Sequence, residues 1–171
     1  MNAHRIDPKL ISTITLALIA AASPADFYSV DDDDPAADFD TIQAAVDVAV
    51  DGDTIFVGPG EYFDPGPLGR PVVQVVDKTI EIIAVSDDPS LTVISGDGVR
   101  RGVVWTGGGV SGLLEGFTID HGVTDGDGAG LLLEESPITV RECVFTNNVA
   151  LGNGGAVHTA STSTIPPLLV F

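Results

Sequence analysis

Phe117-Thr118-Ile119-Asp120-His121-Gly122 can be laid over Cys143-Val144-Phe145-Thr146-Asn147-Asn148 at a shift of 26 residues. The same shift sets Gly128-Ala129-Gly130-Leu131 on Gly154-Gly155-Ala156-Val157 and brings Leu91-Thr92-Val93 under Phe117-Thr118-Ile119. Continued forward, it carries Cys143 to Leu169 and Phe145 to Phe171. The units are short β-branched or aromatic runs separated by Gly, Asp, Asn or Pro, the punctuation of strands and tight turns. A period of this size, with no helix per repeat, predicts an all-β solenoid whose rungs stack about 4.8 Å apart through parallel hydrogen bonds. Inward residues should then form ladders: Leu91, Phe117, Cys143 and Leu169 in one, Val93, Ile119, Phe145 and Phe171 in another. Cys143 is expected in that core rather than at a reactive site. Glu115 and Arg141 lie 26 apart and are expected to pair on neighbouring rungs. His121 is expected between Ser95 and Asn147 in a polar turn ladder.

Upstream of the repeats lies one amphipathic helix. Phe39, Ile42, Val46 and Ala49 recur at helical spacing, Asp40 is read as N-cap with Gln43 completing a capping box, and Gly52 as the stop. Its expected role is to cover the first rung, whose unpaired strand groups would otherwise be open. Strands are expected at Asp53–Val57, Val72–Val76, Thr79–Val85, Leu91–Ile94, Gly102–Trp105, Phe117–Ile119, Leu131–Leu133, Ile138–Val140 and Cys143–Phe145. The array stops in mid-rung at Phe171, which predicts further rungs in a longer product.

The chain has 171 residues, 25 acidic against 7 basic, for a net charge of −18. So few cations exclude a nucleic-acid partner, which needs clustered Lys and Arg to displace counterions. An anionic membrane surface is disfavoured for the same reason. Disorder does not fit 44% apolar residues. Met1–Ala25 has a basic start, the apolar run Leu10–Ala22 and small residues at Ser23-Pro24-Ala25, the pattern of a secretory signal. Its apolar run is too short for a membrane span, so no span is expected after cleavage and the protein is expected outside the cell or on its surface. Residues 26–38 read as an acidic linker, and 39–171 as the helix and solenoid domain. The lone Cys143 allows no internal disulfide.

Asp38 to Val46, Asp51-Gly52-Asp53-Thr54-Ile55 and Val57-Gly58-Pro59-Gly60-Glu61-Tyr62 resemble the N-terminal part of right-handed parallel β-helix proteins of the pectin lyase-like superfamily. Gly116-Phe117-Thr118-Ile119, Cys143-Val144-Phe145 with Asn147-Asn148, and Gly154-Gly155 resemble the repeats of bacterial cell-surface β-helix proteins. The resemblance implies a right-handed parallel β-helix and an extracellular polysaccharide as partner. It also brings three enzymatic possibilities, and the residues answer each poorly. The later Gln-rich motifs of a pectin methylesterase are absent. Thr124-Asp125-Gly126 is similar to a polygalacturonase signature, yet no Asp-Asp pair or Gly-His-Gly follows. A lyase would use an Arg base and Ca²⁺, with Arg100, Arg101 and Arg141 as candidates, but a strongly acidic surface repels polyuronate.

Remaining local candidates are few. Asp120 and His121 could serve as orienter and base, with Arg141 as a third candidate catalytic group. Asp125 and Asp127 alternate in a glycine-rich turn and could present oxygens to calcium, the one cofactor suggested. Trp105 could stack on a sugar or fill the core. Carboxylates do not recur on adjacent rungs: Asp120 is followed 26 residues on by Thr146 and Asp125 by Leu151. The sequence therefore favours a glycan-facing binding and structural module without its own catalysis. The alternative is a fragment of a pectin lyase-like polysaccharide lyase or glycoside hydrolase.

Overall fold

The computed structural model describes residues 24–63, 66–67, 69–107 and 112–161. Positions 1–23 of the expected Met1–Ala25 signal, Gly108-Gly109, and the ladder positions Leu169 and Phe171 lie outside the described residues. Strand β1 (Phe27–Val30) precedes helix α1 (Ile42–Val48), and the rungs follow. The first rung is β2 (Thr54–Val57), β3 (Gly60–Tyr62) and β4 (Val73–Val76); the second is β5 (Glu81–Ala84), β6 (Thr92–Ser95) and β7 (Val103–Thr106). The third holds β8 (Gly112–Glu115), β9 (Thr118–Asp120), β10 (Val123–Thr124) and β11 (Leu131–Glu134). The fourth holds β12 (Ile138–Arg141), β13 (Val144–Thr146), β14 (Val149–Ala150) and β15 (Val157–Ala160).

Equivalent strands stack into three parallel sheets: β1-β2-β5-β8-β12 (sheet A), β3-β6-β9-β13 (sheet B) and β4-β7-β11-β15 (sheet C), with β10 and β14 as a short fourth pair. This is a parallel β-helix of about five turns. Alternate residues of each strand point inward, so the interior is a set of ladders. Ile55, Ile82, Leu114 and Val140 run up sheet A, and Tyr62, Ile94, Ile119 and Phe145 up sheet B. Val75, Trp105 and Leu133 run up sheet C. All except the half-buried Phe145 are buried.

Corners are turned by single residues placed directly after strands in the left-handed region. They are Asp77 and Glu135 after sheet C, Glu142 after sheet A, and His121 and Asn147 after sheet B, with φ between 50° and 54°. Asn and Asp tolerate this conformation better than most residues because their side chains bond locally. Part of the acidic excess therefore sits at corners, outside the ladders.

The 26-residue shift holds in every sheet between the third and fourth rungs, as in Ile119 with Phe145, Leu131 with Val157 and Glu115 with Arg141. Below that it varies. Ile94, not Val93, lies under Ile119, a shift of 25. The expected Leu91 and Val93 ladder positions are thus corrected by one residue, and Leu91 is 52% exposed. The cause is a short 3-10 turn at Pro89–Leu91 that enters β6 in a different phase; with a side-chain period of two, one residue exchanges the faces. His121 consequently stands beyond the Ser95–Asp120 pair rather than over Ser95. Its carbonyl accepts from Gly98 N–H at 2.9 Å.

Two further corrections concern the N-terminal end. Thr41, not Asp40, caps α1: its hydroxyl accepts from Ala44 N–H at 3.2 Å. Gln43 makes no capping box. Its Oε1 accepts from Gln74 N–H at 2.6 Å and its Nε2 donates to Gln74 C=O at 3.3 Å. One amide thus meets both backbone groups of an edge strand, β4, in the manner of a neighbouring peptide. Of the expected apolar face, Ile42, Val46 and Ala49 are buried together with Ala45, whereas Phe39 precedes the helix, bridges to Val30 and is half-buried against the core. The stretch read as a linker contains β1, paired with β2 from Phe27–Thr54 to Val30–Val57. It is held by the buried carboxylate of Asp53, which accepts from Asp26 N–H and Val50 N–H, each at 2.8 Å. Four ordered residues flanked by an Asp run give little periodic signal, and the pairing that fixes them is long-range. Among the described residues, no helix is long and apolar enough to cross a membrane.

Candidate functional site

The polar candidates divide between two places, the corners around sheet B and the outer face of sheet A. At the first corner, Asp120 Oδ2 lies 2.6 Å from His121 Nδ1. Asp120 Oδ1 accepts from His121 N–H at 2.9 Å and from Asn147 Nδ2 at 3.0 Å. The carboxylate therefore links its own corner to the one above, while the imidazole is 58% exposed. Asn148, the next residue, is a second tie. Its Oδ1 accepts from Gly122 N–H at 2.7 Å and its Nδ2 donates to Ile119 C=O at 2.8 Å. Gly130 leaves room for it: a Cβ there would lie 2.9 Å from Asn148 Nδ2.

Asp127 is the hub of the next turn. Its Oδ1 accepts from the backbone N–H of Asn153 and from Asn153 Nδ2 at 3.1 Å, and Oδ2 lies 3.6 Å from His158 Nε2. Arg101 Nε donates to the Asp127 carbonyl at 3.1 Å. The Asn153 N–H bond is the main reason that the Asp127 carboxyl titrates below its ordinary range, with His158 and Arg101 adding to the effect. Asp125 is exposed and borders a different cavity, about 300 Å³, with Arg100, Arg101 and Thr124. The two expected calcium ligands therefore have different surroundings. Among the described residues, no group of three or more His, Cys, Asp or Glu is placed to hold a metal ion.

A lowered carboxyl pKa means that the folded state gains from the charged form. That contribution is present above the unfolded carboxylate range and disappears as pH falls through the folded value. We expect Asp127→Ala to be less stable than the parent at pH 7 and the gap to close below about pH 4. Thermal melts of both proteins across pH 3–7 measure this, and comparing them cancels the common relief of self-repulsion. A gap that stayed constant would rule the linkage out.

The outer face of sheet A is a flat field of two rows. One row runs Phe27, Thr54, Glu81, Leu113 and Thr139; the other runs Ser29, Phe56, Ile83, Glu115 and Arg141. Arg141 pairs with Glu115 as expected, and this pairing raises the guanidinium pKa. At the lower end the rings of Phe27 and Phe56 stack, centroids 6.0 Å apart and planes 28° from parallel. Phe27 is 68% and Phe56 38% exposed. At the upper end lies a groove of about 490 Å³ lined by Thr79, Glu81, Gly112, Leu113, Thr139 and Arg141.

Arg141 thus belongs to sheet A and its Glu115 partner, while Asp120 and His121 occupy the corner beyond sheet B. Trp105 is fully buried beneath Leu133 and above Val75, so of its two readings the core one holds and no sugar reaches its ring. Cys143 is half-buried against the core, and burial pushes its thiol pKa up. Sequence reasoning missed the Phe27–Phe56 pair. The available signal was the alternation of Thr54-Ile55-Phe56-Val57, which puts Phe56 opposite the two inward residues. No family model, curated protein or solved structure matches the chain.

Proposed function

We propose that the chain is an exported, surface-facing β-helix of the pectin lyase-like kind, a glycan-binding and structural module without its own catalysis. The observation that carries this reading is the use made of outward charges. Arg141 is engaged by Glu115, Asp120 by His121 and Asn147, and Asp127 by Asn153 on the next turn. A glycosidase needs two carboxyls facing one bond across a fixed gap, and a lyase needs a base held against the sugar. Here the same residue types fasten neighbouring rungs, leaving flat strand faces as the surface offered to a partner. Export rests on the Met1–Ala25 pattern and the acidic surface.

The test is paired. The purified protein should be retained on immobilised polysaccharide, and should form no ultraviolet-absorbing unsaturated product from polyuronate with Ca²⁺ and no reducing ends from neutral glycans. Either product would overturn the non-catalytic reading. A glycan-cleaving alternative is favoured by one observation, the exposed His121 ring on its Asp120 partner. On that alternative, His121→Ala would abolish product formation; on ours there is none to abolish.

A further inference from the structure

We propose that the outer face of sheet A binds a glycan free of acidic groups, its chain lying along the solenoid axis from Phe27 and Phe56 towards Thr139 and Arg141. The inference rests on the glycan-binding reading and names the site and the ligand class. Parallel strands about 4.8 Å apart make this face flat and place one residue of each row per rung. From β2 to β12 the rows span about 14 Å, room for a few sugar rings. The lower part holds most of the apolar groups: the Phe27–Phe56 stack and Ile83, beside Ser29 and Thr54, offer a platform for the C–H face of a pyranose. The upper part is polar, with Glu81, Glu115, Thr139 and Arg141 around or beside the groove, acceptors and donors suited to hydroxyls. An amphipathic ligand with alternating C–H and O–H surface fits that division; a purely apolar partner does not.

Charge selects among glycans. Glu81, Glu115 and Arg141 stand on these two rows, the guanidinium is already held by Glu115, and a third carboxylate, Asp38, lies 2.8 Å from the Ser29 hydroxyl. The chain as a whole carries −18. A uronate or sulfated glycan would meet like charge with no free cation on these two rows, whereas a neutral one meets no penalty. This sets the expected ligand apart from the polyuronates that the family resemblance brings to mind.

Titration calorimetry with a neutral hexose oligosaccharide and an oligouronate of equal length tests the inference. The neutral ligand should bind, Phe56→Ala should weaken it about tenfold, and raising salt should narrow its advantage over the oligouronate. Phe27→Ala, at a more exposed ring, should weaken binding in the same direction and guards against a folding defect at Phe56. Tighter binding of the oligouronate, or neutral binding unchanged in both variants, overturns the site and class while leaving the glycan reading standing. Binding of neither ligand overturns both. A dimer in sedimentation that Phe56→Ala dissociates would assign the face to a second copy and also overturn the inference.

Discussion

Trp105→Ala is expected to destabilise the protein by about 3–5 kcal/mol, the range for removing a large aromatic from a close-packed core. For a chain of this length that lowers the melting temperature by on the order of 10 °C. The ring is fully buried in the sheet C ladder, with Val75 and Leu133 on the adjacent strands. It also reaches the start of sheet A, where a Cβ on Gly112 would stand 2.4 Å from its Cζ2. No side chain but hydrogen fits at position 112 while the indole keeps its place. Gly112→Ala should therefore be destabilising in the parent and less so combined with Trp105→Ala, which removes the ring contact but leaves the Ile80 backbone oxygen 2.9 Å from the new Cβ. Additive losses in the double variant, measured by denaturant unfolding, would show that the two positions do not share this space.

Asn148→Ala is the second large effect, about 2–4 kcal/mol. The substitution leaves the N–H of buried Gly122 and the carbonyl of buried Ile119 without the partners that Asn148 supplies, and each unmet buried group costs about 1–3 kcal/mol. Asn148→Asp keeps the acceptor and loses the donor, so it should recover part of the loss. Amide exchange at Gly122 gives the local readout. It should accelerate strongly in the Ala variant and stay slow in the Asp variant. Equal exchange in all three proteins would remove the tie from the account.

The upper rungs were legible in the sequence because nothing interrupts their period. From Gly112 to Ala160 the shift is constant, so Phe117, Ile119 and Leu131 could be set inward, and Glu115 beside Arg141, by counting alone. Lower down, register depends on turns whose lengths vary: Thr54 to Glu81 is 27 residues and Glu81 to Leu113 is 32. Counting cannot tell which residues a turn absorbs, and the Pro89–Leu91 turn exchanged the faces of β6 by a single position. Around the candidate site, the Glu115–Arg141 pair follows from the repeat, whereas Asp120 reaches diagonally to Asn147, one position beyond the Thr146 that the shift sets opposite it. The Phe27–Phe56 platform does not follow from the repeat, because β1 lies outside it and acquires its register only by pairing with β2.

The N-terminal end of the stack has a consequence for association. On sheet A, Asp38 accepts from Ser29 N–H, and Phe39 exchanges bonds with Ser29 C=O and Asp31 N–H. On sheet C, Gln43 does the same for Gln74. Groups that could recruit a foreign strand are thus occupied by partners from the same chain, most of them side-chain amides and carboxylates that cannot themselves extend a ladder. At these two sheets the N-terminal end of the solenoid therefore has Ser29, Asp31 and Gln74 already bonded within the chain, which leaves fewer groups on which a swapped copy or a fibril could nucleate.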